Sequence, residues 1–181
     1  MANIWHDIST GKKCPEIVNV ITEITRGTRT KYELDKETGL ICLDRVLYTP
    51  MYYPTNYGFI PRTYCGDGDP LDMLILSQVD ILPGVLVSVR VIGVMQMIDN
   101  GETDDKIIGV VEKDNSTNHL NDLADLPENF IKELRVFFED YKKLENKPVE
   151  ITGFFGKARA IEIIEQSIVD YNVSFGDKVN V

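Results

Sequence analysis

The chain has 181 residues, 43% of them apolar, which is ample for one domain with a substantial core. A formal charge of −10 argues against a nucleic-acid partner, because phosphate-backbone binders carry a basic stripe that displaces counterions; a small polyanion remains compatible where cations reverse the potential locally. The stretch around Trp5, His6 and Asp7 holds no apolar run like a signal peptide, and no later segment approaches the roughly twenty apolar residues of a membrane span, so a cytoplasmic protein without a membrane partner is expected.

Taken in chain order, β-rich runs fall at 17–24, 32–34, 40–43, 73–76, 85–97, 107–111 and 149–155. Residues 35–39 (Asp-Lys-Glu-Thr-Gly) have the length and glycine of a hairpin loop, and Pro83-Gly84 and Asn100-Gly101 punctuate two further strand ends. The first two-thirds therefore reads as mostly antiparallel sheet. Pro127 suits a first helical turn, and Phe130, Leu134, Phe137, Phe138, Tyr141 and Leu144 recur at helical spacing, predicting a helix over about 127–145. A second helix over roughly 157–171 would place Ala158, Ile161, Ile164, Ile168 and Tyr171 on one face. Many strands and two late helices point to a mainly β (α+β) fold, a barrel or strongly curved sheet with helices outside it. No repeat, linker or low-complexity segment divides residues 1–181, so one domain is expected. Cys14, Cys42 and Cys65 are widely spaced and have only His6 and His119 to complement them, which disfavours zinc and favours reduced thiols.

The densest chemical feature is Asp67-Gly68-Asp69-Pro70-Leu71-Asp72. In extended backbone, residues two apart share a side, so Asp67 and Asp69 converge; Asp72 opens an apolar strand and would hold its carboxylate at a sheet edge facing the same cavity. Alone, the hexapeptide reads equally well as an exposed turn. It is no EF-hand, because the sixth loop position is Asp72 where glycine is required and the twelfth is Gln78 where glutamate is required. A second cluster, Asp99, Glu102, Asp104, Asp105 and Lys106, would by itself be a solvated hairpin tip. Asp67, Asp69, Asp72, Asp99 and Asp104 from the two clusters are more aspartates than one magnesium ion uses, and several ions in one site imply chemistry on phosphate. No Gly-x-x-x-x-Gly-Lys-Ser/Thr loop offers a P-loop route to it.

Asp-Gly-Asp-Pro-Leu-Asp occurs in order with Glu23, Lys31-Tyr32-Glu33, Asp44-Arg45, Tyr53-Pro54-x-Asn56-Tyr57-Gly58, the 99–106 segment and Phe137-Phe138-Glu139-x-Tyr141-Lys142. In this ordered set the chain resembles the family I soluble inorganic pyrophosphatases. The resemblance implies an OB-like five-stranded closed barrel flanked by two helices. It also implies hydrolysis of inorganic pyrophosphate by a metal-activated water, with several Mg2+ ions per site. It makes Asp67, Asp72, Asp99 and Asp104 metal ligands, and Asp69 both a ligand and the general base. Glu23 and Glu33 would support the metal and water network. Lys31, Arg45, Lys106 and Lys142, with the hydroxyls of Tyr53, Tyr57 and Tyr141, would grip the phosphoryl groups; Arg45 and Lys142 would also stabilise the departing phosphate. A homo-oligomer is implied, with a hexamer as the expected state, although Val136 stands where bacterial members carry a histidine used in subunit contacts. Two rival readings are a non-enzymatic divalent-metal-binding module, which needs no cations aimed at the acid cluster, and a single-strand nucleic-acid barrel stacking bases on the tyrosine-rich 48–64 segment.

Overall fold

The computed structural model describes residues 3–176. Its strands are β1 (Ile17–Ile24), β2 (Thr30–Leu34), β3 (Ile41–Val46), β4 (Asn56–Phe59), β5 (Asp72–Leu76), β6 (Leu86–Asp99), β7 (Glu102–Thr103), β8 (Lys106–Val111) and β9 (Val149–Gly156). Helix α1 (Glu128–Asp140) lies between β8 and β9, and α2 (Lys157–Phe175) follows β9. The 14-residue β6, rich in valine and isoleucine, is the spine. It pairs antiparallel with β1 through residues 86–90, with β8 through 89–95 and with β9 through 93–99. Register shifts between Val91 and Gly93 and between Gln96 and Met97 bend it between these partners.

β1, β4, β5, β8 and β6 form a ring that the β1–β6 pairing closes, giving a five-stranded barrel of the OB-like type. Closure demands close approach where β4 crosses β1: a Cβ built on Gly58 would lie 2.0 Å from the Ile21 carbonyl oxygen, so the position excludes any side chain. β2 and β3 form a separate two-stranded ribbon. β5 is apolar on both faces. Met73 and Ile75 pack in the cluster that includes Ala160 and Ile164 of α2, and Leu74 and Leu76 in the one that includes Leu134, Phe137 and Phe138 of α1.

Several sequence expectations change here. β5 and β8 run parallel within an otherwise antiparallel sheet, and β5 is an interior strand, so Asp72 sits at a strand end and not at a sheet edge. β4 and β7 had no counterpart among the expected runs. α1 stops at Asp140, where Tyr141 caps it; Lys142 leaves the helix at ψ 5°, a short 3-10 turn follows, and Asn146 adopts a left-handed conformation. Leu144, expected on the buried stripe, is consequently exposed. α2 runs one turn beyond 171 and buries Ala160, Ile164, Ser167 and Tyr171, a face rotated from the expected one, which leaves Ala158 exposed.

The loops at the barrel rim are tied by the buried Asp114, which follows β8. Its carboxylate accepts from Ser116 Oγ at 2.6 Å, Gln78 N at 2.8 Å, Ser77 Oγ at 2.9 Å and Ser116 N at 3.0 Å. The Ser116 hydroxyl and Gln78 amide lead in holding its pKa down to about 2 from the ordinary 3.8. A depressed carboxylate pKa contributes stability that is complete above about pH 4 and is lost as pH falls through about 2. Asp114→Asn is expected to lower unfolding free energy by about 1–3 kcal/mol at pH 7, with the gap to wild type narrowing as pH falls from 4 towards 2. Urea titrations across that range check it; a gap independent of pH would contradict the assigned charge.

Candidate active site

The parallel register of β5 and β8 sets Asp72 opposite Lys106. Lys106 Nζ donates to Asp72 Oδ2 at 2.6 Å and to Asp104 Oδ1 at 2.5 Å, with the lysine side chain 2% exposed. Burial works against the ammonium charge, but the Asp104 and Asp72 carboxylates outweigh it and raise the lysine well above its ordinary pKa. Tyr57 on β4 is the diagonal neighbour of Asp72 across the β4–β5 pair, and its hydroxyl donates to Asp72 Oδ2 at 2.5 Å. Burial and the Asp72 charge push this phenol up, so it remains a donor.

Around this centre opens a cavity of about 410 Å³ lined by eight carboxylates and four lysines. β1 contributes the buried Glu23, whose Oε1 accepts from the Leu34 amide at 2.9 Å; burial and then the Asp72 charge raise its carboxyl to about 8. β2 contributes Lys31 and Glu33, two residues apart and paired with each other, and Asp44 lies 3.8 Å from the Lys31 ammonium. Burial lowers the Lys31 pKa, with the Arg45 charge acting in the same direction. In the loop before β5, Gly68 at φ +85° lets the backbone reverse between Asp67 and Asp69, and the Asp69 amide donates to Asp67 Oδ1 at 3.1 Å. Burial raises Asp67 to about 6. Asp99, the last residue of β6, pairs with Lys142 just beyond α1. The end of α1 thus presents both Tyr141 and Lys142 to the cavity.

Twelve of the fourteen residues singled out from the sequence line this cavity; Arg45 and Tyr53 do not. Arg45 stands opposite Lys31 in the β2–β3 ribbon and pairs with Asp44 and, at 2.9 Å, with Glu145, while its Nη2 is buried without a hydrogen-bond partner. Tyr53 is buried behind the wall, edge-on to Tyr57 with ring centroids 6.0 Å apart. Lys36 and Glu102 line the cavity without having been assigned a role from sequence. Lys36 lies in the expected hairpin loop, but nothing local indicated that this loop reaches the Asp67–Asp69 segment.

Among the described residues, no three acid, cysteine or histidine side chains stand close enough to hold an ion as they are placed; Lys106 sits between Asp72 and Asp104, and Lys142 on Asp99. The donor set itself, hard carboxylate oxygens from four chain segments around one cavity, fits magnesium.

The sequence matches the Pyrophosphatase family (inorganic pyrophosphatase) over residues 20–172. Soluble inorganic pyrophosphatase 1 of Arabidopsis thaliana is 50% identical over 167 residues, covering 92% of this chain and 79% of that protein. The crystal structure of inorganic pyrophosphatase from Thermus thermophilus superposes with a TM-score of 0.91 at 44% identity, covering 94% of this chain and 99% of the other. An N-terminally truncated vacuolar soluble pyrophosphatase of Trypanosoma cruzi, solved in complex with PPi, is similar over 94% of this chain and 78% of its own, at 25% identity and a TM-score of 0.82. Barrel, cavity and relatives together define a phosphoric-anhydride hydrolase, a diphosphatase. The chain belongs to the inorganic pyrophosphatase family.

Removing the central cation would leave two partly buried carboxylates facing each other. Lys106→Met is expected to destabilise the metal-free protein by about 1–3 kcal/mol, measured by denaturant unfolding in the presence of a chelator. A loss below about 1 kcal/mol would show that the triad is not buried as described.

Proposed function

We propose that the chain hydrolyses inorganic pyrophosphate to two phosphates with magnesium ions held by Asp67, Asp69, Asp72, Asp99 and Asp104. The observation that carries this reading is the charge balance of the cavity. With Glu23 protonated, seven carboxylates against four lysines repel a polyanion, and about two divalent ions would reverse the sign of the walls and admit one. The T. cruzi relative solved with PPi supports pyrophosphate as that polyanion.

When bound, the metal ions would acidify a water and neutralise phosphoryl oxygens. The rest falls to the chain. Asp69, half exposed at the cavity rim, accepts the proton of the attacking water as general base. The water oxygen bonds to one phosphorus, the bridging P–O bond breaks, and the second phosphate departs with that electron pair. Lys31, Lys106 and Lys142 hold phosphoryl oxygens as point charges, and Tyr57 and Tyr141, kept protonated by burial, donate hydroxyls. Tyr53 backs Tyr57. Arg45 is assigned to the departing phosphate alongside Lys142 from the ordered motifs, and would have to turn from Glu145 and Asp44 to reach the cavity. Glu23 and Glu33 complete the metal and water network.

Convergence of three lysines and Tyr57 on the acid cluster speaks against a metal-binding module, which needs no anion grip. In the 48–64 segment Tyr53 is buried and Tyr57 enclosed while Tyr48 and Tyr52 are exposed, and the formal charge of −10 speaks against a phosphate backbone at them. Residues 1–181 are read as one pyrophosphatase domain. Three free cysteines, with Cys42 exposed, favour a reducing, cytoplasmic compartment, and among the described residues no helix is long and apolar enough to cross a membrane.

Phosphate release from pyrophosphate with and without magnesium is the primary test, and Asp69→Asn is expected to lower turnover by about 10²–10⁴-fold with the circular dichroism spectrum unchanged. Absence of metal-dependent release would sink the assignment, and near wild-type turnover in the variant would remove the base. A homo-oligomer, with a hexamer as the expected state, is favoured by the exposed apolar run Val79, Leu82, Val85 and Leu86. Light scattering should return a multiple of the 20.5 kDa chain mass, and a monomer at working concentration would overturn it.

A further inference from the structure

The cavity mouth is bridged from an unexpected side. Lys36, in the hairpin loop between β2 and β3, extends its ammonium to Asp69 Oδ1 at 2.6 Å and to the Gly68 carbonyl oxygen at 3.0 Å. Both ends of this bridge are braced. In the hairpin, Gly39 N donates to Asp35 O at 2.7 Å, Asp35 N to Leu40 O at 2.8 Å, and Thr38 Oγ1 to Asp35 Oδ2 at 2.6 Å. In the acid loop, Cys65 N donates to Asp69 O at 2.9 Å and Gly68 N to Cys65 O at 3.0 Å.

We propose that Lys36 is a positioning residue for Asp69: it clips the acid loop to the ribbon and fixes which carboxylate oxygen faces the water. With Oδ1 engaged by the ammonium, Oδ2 is the oxygen left to accept the proton, and the Gly68 contact sets the height of the loop carrying it. One contact alone would leave the carboxylate free to rotate; contact with the adjoining carbonyl as well defines both loop and side chain. The inference rests on the base role of Asp69 proposed above. An ion pair this exposed adds little to global stability, so its effect belongs to geometry, where small misplacements of a catalytic group cost rate.

The test compares Lys36→Met, which keeps the stem and removes the charge, with Lys36→Arg, which keeps a donor. Lys36→Met is expected to lower kcat about tenfold with KM within about twofold and an unchanged unfolding midpoint, and Lys36→Arg to recover most of the loss. Hydrogen exchange of the metal-free protein supplies an independent reading: amides in 65–69 should exchange about threefold faster in Lys36→Met and near the wild-type rate in Lys36→Arg. Unchanged exchange together with unchanged kcat removes the clip, and a raised KM at wild-type kcat would make Lys36 a substrate contact and overturn the positioning role. If the wild-type protein releases no phosphate from pyrophosphate, the functional reading fails by itself, while the exchange contrast still decides whether the clip exists.

Discussion

Asp72 and Lys106 meet because β5 and β8 run parallel in a register that pairs them, and most of the site is arranged around that contact. It brings a buried ammonium between carboxylates from two distant segments, and it orients the Tyr57 hydroxyl on the same oxygen. A parallel pair needs a long crossover, and the connection from β5 to β8 passes through β6, the strand that closes the barrel against β1. Closure of the fold and assembly of the charged centre are thus one event. The ladder hydrogen bonds hold the strand ends rigidly, so Tyr57, Asp72, Asp99 and Lys106 are positioned by sheet geometry, while Asp67, Asp69 and Asp104 lie in the adjoining loops.

The cavity places its charges in two tiers. Lys106 lies at the bottom, fully buried and bound to two acids, while Asp69 and Lys36 lie half exposed at the mouth. Between them Glu23 holds a proton to about pH 8 because burial and the neighbouring Asp72 disfavour a further negative charge. Crowding of this kind stores affinity for divalent ions, since a cation relieves the repulsion that the sheet geometry enforces.

Much of this was legible because it is local. Periodicity located seven of nine strands and both helices, and the Asp67–Asp72 hexapeptide with its ordered companions named the cavity's residues. What escaped was non-local. No property of residues 73–76 or 107–111 distinguishes a parallel pairing from an antiparallel one. The early end of α1 came from Lys142 turning towards Asp99, a tertiary pull that overrode the helical spacing of Leu144. The buried face of α2 carries Ser167, whose hydroxyl donates to the Ile164 carbonyl oxygen within its own helix, so a hydropathy stripe passed it over for Ile168. Arg45 and Tyr53 were found by their companions in the ordered motifs, and only the packing shows that neither lines the cavity.

The β2–β3 ribbon carries Lys31, Glu33, Lys36 and Arg45, yet among the described residues its strands pair with no strand of the barrel. The barrel and its loops carry the five aspartates. The cavity is therefore lined from two separately hydrogen-bonded pieces, in contact at the Glu23–Leu34 hydrogen bond and across the mouth at Lys36. A change in the length or charge of the ribbon would then reshape one wall of the cavity while leaving the strand pairing that closes the barrel intact.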